Sequence, residues 1–334
     1  MTSWWTPQAS IWWVVLIKCA VLLFVVITTF AYAMLFERKI MGWMQIRPGP
    51  NRVGPWGLLQ PAVDALKLIL KEDLKPKTAD PLIYWLAPFI SLVTAFAVYA
   101  VIPFAQPGPG NVWAVGDVNA GILVILALTS IGVYGISLGG WASGSKYPLL
   151  GSVRSTAQLI SYELAMAMSL IGVLILAGTT SLVGIVNGQV KLWYFIPQFV
   201  GFVIYVITAV AETNRAPFDL VEADAELVGG FNTEYSGLRF GLFFIAEYIN
   251  MLTVACIATL LFLGGWNAIG GLTMIPGIVW FLVKVAFFMF VYIWLRATFP
   301  RIRYDRLMAF GWKVLLPVAT LNLVVTALVV AVRG

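Results

Sequence analysis

The chain has 334 residues, 61% of them hydrophobic and only 11% charged, with a mean hydropathy of +0.92. Soluble domains carry about 25% charged residues, so a soluble globular protein is excluded and an all-α integral membrane protein is predicted. The formal charge of +6 is small and confined to particular loops, there is no histidine, and the two cysteines, Cys19 and Cys256, stand in separate apolar stretches, so neither nucleic-acid binding nor zinc, haem or iron–sulfur ligation by this chain alone is expected.

A bilayer core takes about 20 apolar residues per helix, and eight stretches meet that need, near 11–35, 82–103, 119–141, 156–177, 195–211, 239–263, 277–298 and 312–332. The first has no basic residue ahead of it and is followed by Arg38 and Lys39. That is the reverse of a cleaved secretory signal, so a retained span is expected. In the next loop, 36–81, the run Arg47-Pro48-Gly49-Pro50-Asn51-Arg52 fixes a rigid non-helical turn with a cation at each end. Leu58–Leu70 (LLQPAVDALKLIL) then sets apolar residues at helical spacing, with Asp64 and Lys67 on another side. This predicts an amphipathic helix lying at the membrane interface. Pro103–Gly110, Gly139–Gly151 and Gly264–Gly277 are expected to break the spans. No internal repeat is visible, and the whole chain is treated as a single polytopic domain.

Fourteen lysines and arginines fall in the loops after spans one, three, five and seven, whereas the opposite side holds Lys191 and Arg333. By the positive-inside rule the odd loops are cytoplasmic and both termini lie outside. The loop 212–238 is acidic: Glu212, Asp219, Glu222, Asp224, Glu226 and Glu234 face Arg215 alone. A helix over Pro217–Val228 places Asp219, Glu222 and Glu226 on one face. Crowded carboxylates raise one another's pKa and share protons. Inside the spans stand Glu163, Glu247, Lys284 and Lys18. Lys18 is near enough to the outer surface to snorkel. Glu163 and Glu247 have no such escape, and intramembrane carboxylates mark an ion or substrate path. With Glu212 they are expected to form a relay leading inward from the acidic loop.

Three long segments carry a specific resemblance: FERKIMGWMQIRPGPNRVGPWGLLQPAVDALKLILKED, SKYPLLGSVRSTAQLISYE and AETNRAPFDLVEADAELVGGFNTEYSGLRFGLFFIAEY. In this order they resemble the heel component of respiratory complex I, the H-subunit family of NADH-quinone oxidoreductases (subunit 1 in mitochondria). The resemblance implies an enzyme subunit without stand-alone activity, in a bacterial inner membrane or, alternatively, a mitochondrial one. Its substrate is quinone, admitted from the bilayer, and no cofactor is bound by the chain itself. Flavin and iron–sulfur clusters reside in partner subunits of the hydrophilic arm, and small and antiporter-like membrane subunits adjoin it. Glu37, Arg38, Arg47, Asp64, Tyr235 and Arg296 are implied as chamber or entrance residues. Glu163, Glu212, Glu222, Asp224, Glu226 and Glu247 are implied as proton-coupling carboxylates, with Arg215 and Asp219 as polar lining and Arg154 as a loop brace. The family often has Glu at the position of Asp224. The competing expectations are a membrane anchor of a complex-I-like hydrogenase or formate hydrogenlyase, a proton-coupled transporter and a purely structural anchor.

Overall fold

A computed structural model describes residues 12–106, 118–219, 229–268 and 275–333, and the regular structure among them is helical. In chain order the helices are α1 (Trp12–Met44), α2 (Gln60–Leu70), α3 (Pro81–Ala97), α4 (Gly121–Ala142), α5 (Lys146–Ala177) and α6 (Leu182–Gly188). They continue with α7 (Phe199–Glu212), α8 (Gly237–Phe262), α9 (Gly277–Thr298), α10 (Tyr304–Phe310) and α11 (Leu316–Arg333). A π-helical turn, Gly311–Leu315, joins the last two into one rod. Among the described residues seven helical rods are long and apolar enough to cross a membrane, and the shorter α7 is also apolar. The chain is a membrane protein.

The helix α8 is the spine. Of its most apolar stretch 67% is buried, against 11% for α1, so α8 is wrapped by protein while α1 runs along the outside. A chain of neighbours surrounds it: α3 packs on α4 and α8, α4 on α5, α5 on α7 and α11, and α9 on α8 and α1. Hydrocarbon offers no hydrophobic drive between helices, so small residues and interhelical hydrogen bonds set such contacts. Tyr99 donates to the Ile249 carbonyl at 3.2 Å and Tyr205 to that of Val254 at 2.8 Å. Gln198 and Asn322 tie α11 to the start of α7, with Asn322 donating to Gln198 Oε1 at 2.8 Å.

Two expected boundaries shift for a physical reason. The predicted break at Gly139–Gly151 shrinks to the short turn 143–145 between α4 and α5. Its glycines serve close approach instead: a Cβ on Gly140 would stand 2.3 Å from Ser152 Cβ. The first helix also runs past 35 to Met44, because Glu37 and Arg38 find partners beside it (below) and the chain turns only at the Pro48–Pro50 segment. Asp80 starts α3 by accepting from the Leu82 and Ile83 amides, with Pro81 in the first turn. The helix predicted within Leu58–Leu70 appears as α2, with Leu66, Ile69 and Leu70 exposed along one side.

The α3–α4 contact gives the first test. A Cβ on Gly135 would fall 2.0 Å from Ser91 Oγ and 2.9 Å from the Ala87 carbonyl oxygen, which is backbone. Gly135→Val is expected to destabilise by roughly 1–3 kcal/mol through overpacking, read as a lowered unfolding midpoint of the purified complex.

Candidate functional site

Among the described residues, four charged groups from four segments meet beside the first half of α8. Arg215, in the loop after α7, is 5% exposed and Glu37 on α1 is 1% exposed. Arg215 Nη1 donates to Glu37 Oε1 at 2.7 Å. Its Nε stands 2.7 Å from Glu247 Oε1 on α8, an ion-pair contact without hydrogen-bond alignment. Its guanidinium lies over the Tyr248 ring, 4.2 Å from the centroid. Arg296, in the last turn of α9, closes the set by donating to Glu37 as well. Two carboxylates and two guanidiniums balance. Burial alone pulls the Arg215 pKa down, but Glu247 and Glu37 more than offset it and hold the group above the ordinary guanidinium range.

The local chain path follows from that pairing. The Phe218 amide turns back to the Arg215 carbonyl at 2.8 Å, and Gln158 on α5 donates to the carbonyls of both Ala211 and Phe218. The described start of the predicted 217–228 helix, Pro217 to Asp219, is therefore a turn. Glu222, Asp224 and Glu226 lie outside the described residues. Asp219 is half-buried beside the turn.

Behind the cluster a cavity of about 60 Å³ is lined by Glu212, Glu247, Asn250, Asn214, Thr129 and Ser91 among others. A water needs roughly 10–15 Å³ of such space, so several fit. Glu212 Oε2 is buried here without a hydrogen-bond partner. Glu163 on α5 is bonded by Ser130, the neighbour of Thr129 on α4, and lies close enough to Glu212 for their charges to interact. The structure thus gathers Glu163, Glu212 and Glu247, and joins them through Arg215 to Glu37 and Arg296, two groups the resemblance assigns to the chamber.

The other expected residues fall into separate places. Arg38 pairs with Asp64 of α2 at 2.8 Å, and Gln60 holds the second Asp64 oxygen at 3.0 Å. Arg47 is exposed and bonds Gln45 at 2.7 Å, away from the cluster. Arg154 braces α10, its guanidinium 5.2 Å from the Tyr304 ring centre. Tyr235 donates to the Gly139 carbonyl at 3.2 Å and stacks on Tyr84 at 4.3 Å. Burial, with Tyr84 beside it, pushes the Tyr235 phenol up, so it stays a donor at neutral pH. Arg239 is not among the expected site residues. It stands over Tyr84 and Trp85, with Nε 3.0 Å from Asp73, and so pins the loop before α3 to the start of α8. Its signal in the sequence is an arginine at the mouth of an apolar run. Ser130 and Asn250 are also unexpected, although each is a polar residue inside a span and Asn250 follows Glu247 by one helical turn.

A groove of about 640 Å³ runs between α1, α8 and α9, walled by Phe24, Thr28, Tyr32, Phe36, Leu252, Met289 and Ile293 among others. One end of it reaches Phe36 and Ile40 on α1, which flank Glu37 in sequence. Among the described residues no group of three or more His, Cys, Asp or Glu side chains is placed to hold a metal ion.

Comparison with known proteins decides the family. A family described as NADH dehydrogenase matches residues 17–327. The NADH-quinone oxidoreductase H subunit 1 of Symbiobacterium thermophilum is 53% identical over 326 residues, 96% of this chain and 99% of that protein. The chain belongs to the H-subunit family of NADH-quinone oxidoreductases. The H subunit 1 of Geobacter metallireducens is 50% identical over 98% of this chain and all of its own length, and the H subunit of Deinococcus deserti is 52% identical over 94% and 83%. The chain is therefore a membrane subunit of complex I, an enzyme complex whose other subunits are its partners.

The cluster and the exposed pair predict different stabilities. Arg215→Met leaves the buried Glu37 and the half-buried Glu247 without their shared cation and should cost roughly 3–5 kcal/mol. Arg38→Met, breaking a partly exposed pair, should cost about 0–1 kcal/mol. Unfolding midpoints of the two variant complexes, measured side by side, check the ranking.

Proposed function

We propose that this chain forms the membrane side of the quinone chamber and couples quinone reduction to proton movement. The observation that carries the reading is the Glu37–Arg215–Glu247 cluster, which joins the mouth of an apolar groove to a polar cavity. In this reading a quinone slides headgroup-first from the bilayer along the groove between α1, α8 and α9, its isoprenoid tail matched by the apolar walls. The interfacial helix α2, pinned by Arg38–Asp64, sets the rim of the entrance. Arg47, exposed on its rigid turn, faces the hydrophilic arm, and Tyr235 with Arg239 braces the rim from the other side.

The chain supplies no electrons in this scheme. They come from the iron–sulfur and flavin centres of partner subunits. Reduction of a quinone to a quinol consumes two electrons and two protons, so charge changes beside Glu37 and Arg296. Arg215 shares its charge between Glu37 and Glu247. If Glu37 reorganises so that it takes the larger share of that cation, Glu247 loses it, and its proton affinity rises relative to Glu212 and Glu163. Glu247 then draws a proton through the polar cavity from Glu212 or Glu163, beside Ser130 on α4, and these acids exchange protons in turn with adjacent antiporter-like subunits. Glu222, Asp224, Glu226 and Asp219 extend the same route on the loop side. By the distribution of basic residues, the loops carrying the cluster face the cytoplasm and both termini lie outside, in the inner membrane of a bacterium such as those housing the relatives.

Two experiments test the halves separately. Glu212→Gln and Glu163→Gln remove the titrating group but keep the shape, and each is expected to lower proton translocation in proteoliposomes by roughly a hundredfold where proton transfer becomes limiting; wild-type pumping and quinone reduction in both removes these residues from coupling. Thr28→Trp narrows the groove and should raise KM several-fold for a long-tailed quinone while sparing a short-tailed one. An equal effect on both quinones argues against passage there.

A further inference from the structure

Lys284 takes no part in the route above. It projects from α9 and is 3% exposed. Its Nζ donates to three backbone carbonyls at the far end of α8: Leu263 at 2.8 Å, Gly265 at 2.9 Å and Asn267 at 2.8 Å. The face of Trp193 covers it, 4.6 Å from Nζ to the ring centre. An ammonium has three N–H donors in all, so every one is used, and each acceptor is main chain.

The cage is built by the backbone rather than shaped around the lysine. Gly264 and Gly265 have φ of 71° and 53°, left-handed values, in a loop whose alternate carbonyls, 263, 265 and 267, face the ammonium. Neither tolerates a side chain: a Cβ on Gly265 would lie 2.8 Å from Val186 Cγ2, and one on Gly264 3.0 Å from Trp193 Nε1. Gln189 fixes the loop from behind, accepting from the Gly264 amide at 2.9 Å and donating to the Leu260 carbonyl at 2.8 Å. Asn267 donates to the Val186 carbonyl at 3.0 Å. Converging carbonyls that replace a hydration shell, at the negative end of a helix dipole and beneath an aromatic face, are the features of a site for a small monovalent cation.

We propose that the loop closing α8 is a monovalent-cation site of ammonium or potassium size, which the chain fills with its own tethered ammonium. The tether locks the far ends of α8 and α9 together. The tethered ammonium also occupies the carbonyl cage, so that free cations are excluded from it. This inference is independent of the quinone and proton roles assigned to the other end of α8.

The test uses the whole complex carrying Lys284→Ala or Lys284→Met, melted in ammonium, methylammonium, potassium or choline chloride at equal ionic strength. Lys284→Ala is expected to melt several degrees below wild type in choline, and to recover much of that loss, saturably, in ammonium or potassium. Lys284→Met fills the volume without the charge and should stay low in every salt, while wild type should not distinguish the salts. A Lys284→Met complex as stable as wild type, or a Lys284→Ala complex equally stable in choline and ammonium, overturns the proposal. Should Lys284→Ala fail to assemble, Lys284→Arg and Lys284→Met decide it: assembly with Arg but not with Met upholds the cation requirement, and any other pattern overturns it.

Discussion

The structure depends first on how a guanidinium is kept buried at the edge of a membrane. Isolated charges in low dielectric cost several kcal/mol each even after relaxation. Arg215 meets this by contacting Glu37 and Glu247 and by lying on the Tyr248 ring. Arg296 then supplies a second cation to Glu37. The arrangement is neutral as a set, but no single pair in it is. Each member therefore depends on partners from other helices, and the set holds α1, α8, α9 and the loop after α7 in one register. For α1 the constraint matters most, since its lipid-facing stretch offers little buried surface to hold it in place.

The same logic recurs away from the cluster. In a bilayer, helix ends cannot leave backbone carbonyls without partners, and here groups from neighbouring segments supply them. Gln189 reaches Leu260, Lys284 reaches Leu263, and the Phe195 amide reaches the Phe262 carbonyl at 3.1 Å. The end of α8 is thus closed by three different donors from three segments. At its other end Arg239, Tyr84 and Tyr235 form a stacked layer over the loop before α3. Between these two closures the helix from Met251 to Phe262 is buried along its whole length. Glu247 and Asn250, in the half of the helix before Met251, line the cavity.

Hydropathy alone locates the spans, because about 20 apolar residues in a row have few other uses. It does not locate their ends. The α5 helix begins at Lys146 rather than near 156, since Gly151, a breaker by its residue type, is a contact point in the bundle: a Cβ there would stand 2.9 Å from the Gly230 backbone. A glycine that admits a neighbouring segment and one that ends a helix look the same in one dimension. The site is legible as a list of residues and not as an arrangement. Glu163 and Glu247 stand out by their cost in hydrocarbon, yet nothing in the sequence pairs Glu37 with an arginine 178 positions away. Ser130 and Asn250 are inconspicuous because neutral polar residues are common in spans, where they hydrogen-bond to neighbouring helices.

On the proposed reading, the importance of a shared arginine lies in what it forbids. A carboxylate with its own dedicated cation keeps a fixed proton affinity. Two carboxylates competing for one buried cation cannot both be fully satisfied, so a change at Glu37 must alter Glu247. A chain without histidine or an electron carrier of its own can respond to redox chemistry in this way, by redistributing one charge among acids already in contact. Lys284 marks the contrasting design within the same helix pair. Its three donors are all taken by main-chain carbonyls that do not titrate, so no partner is left over to be redistributed. The first arrangement suits a group that has to respond to its surroundings, and the second suits one that has to stay where it is.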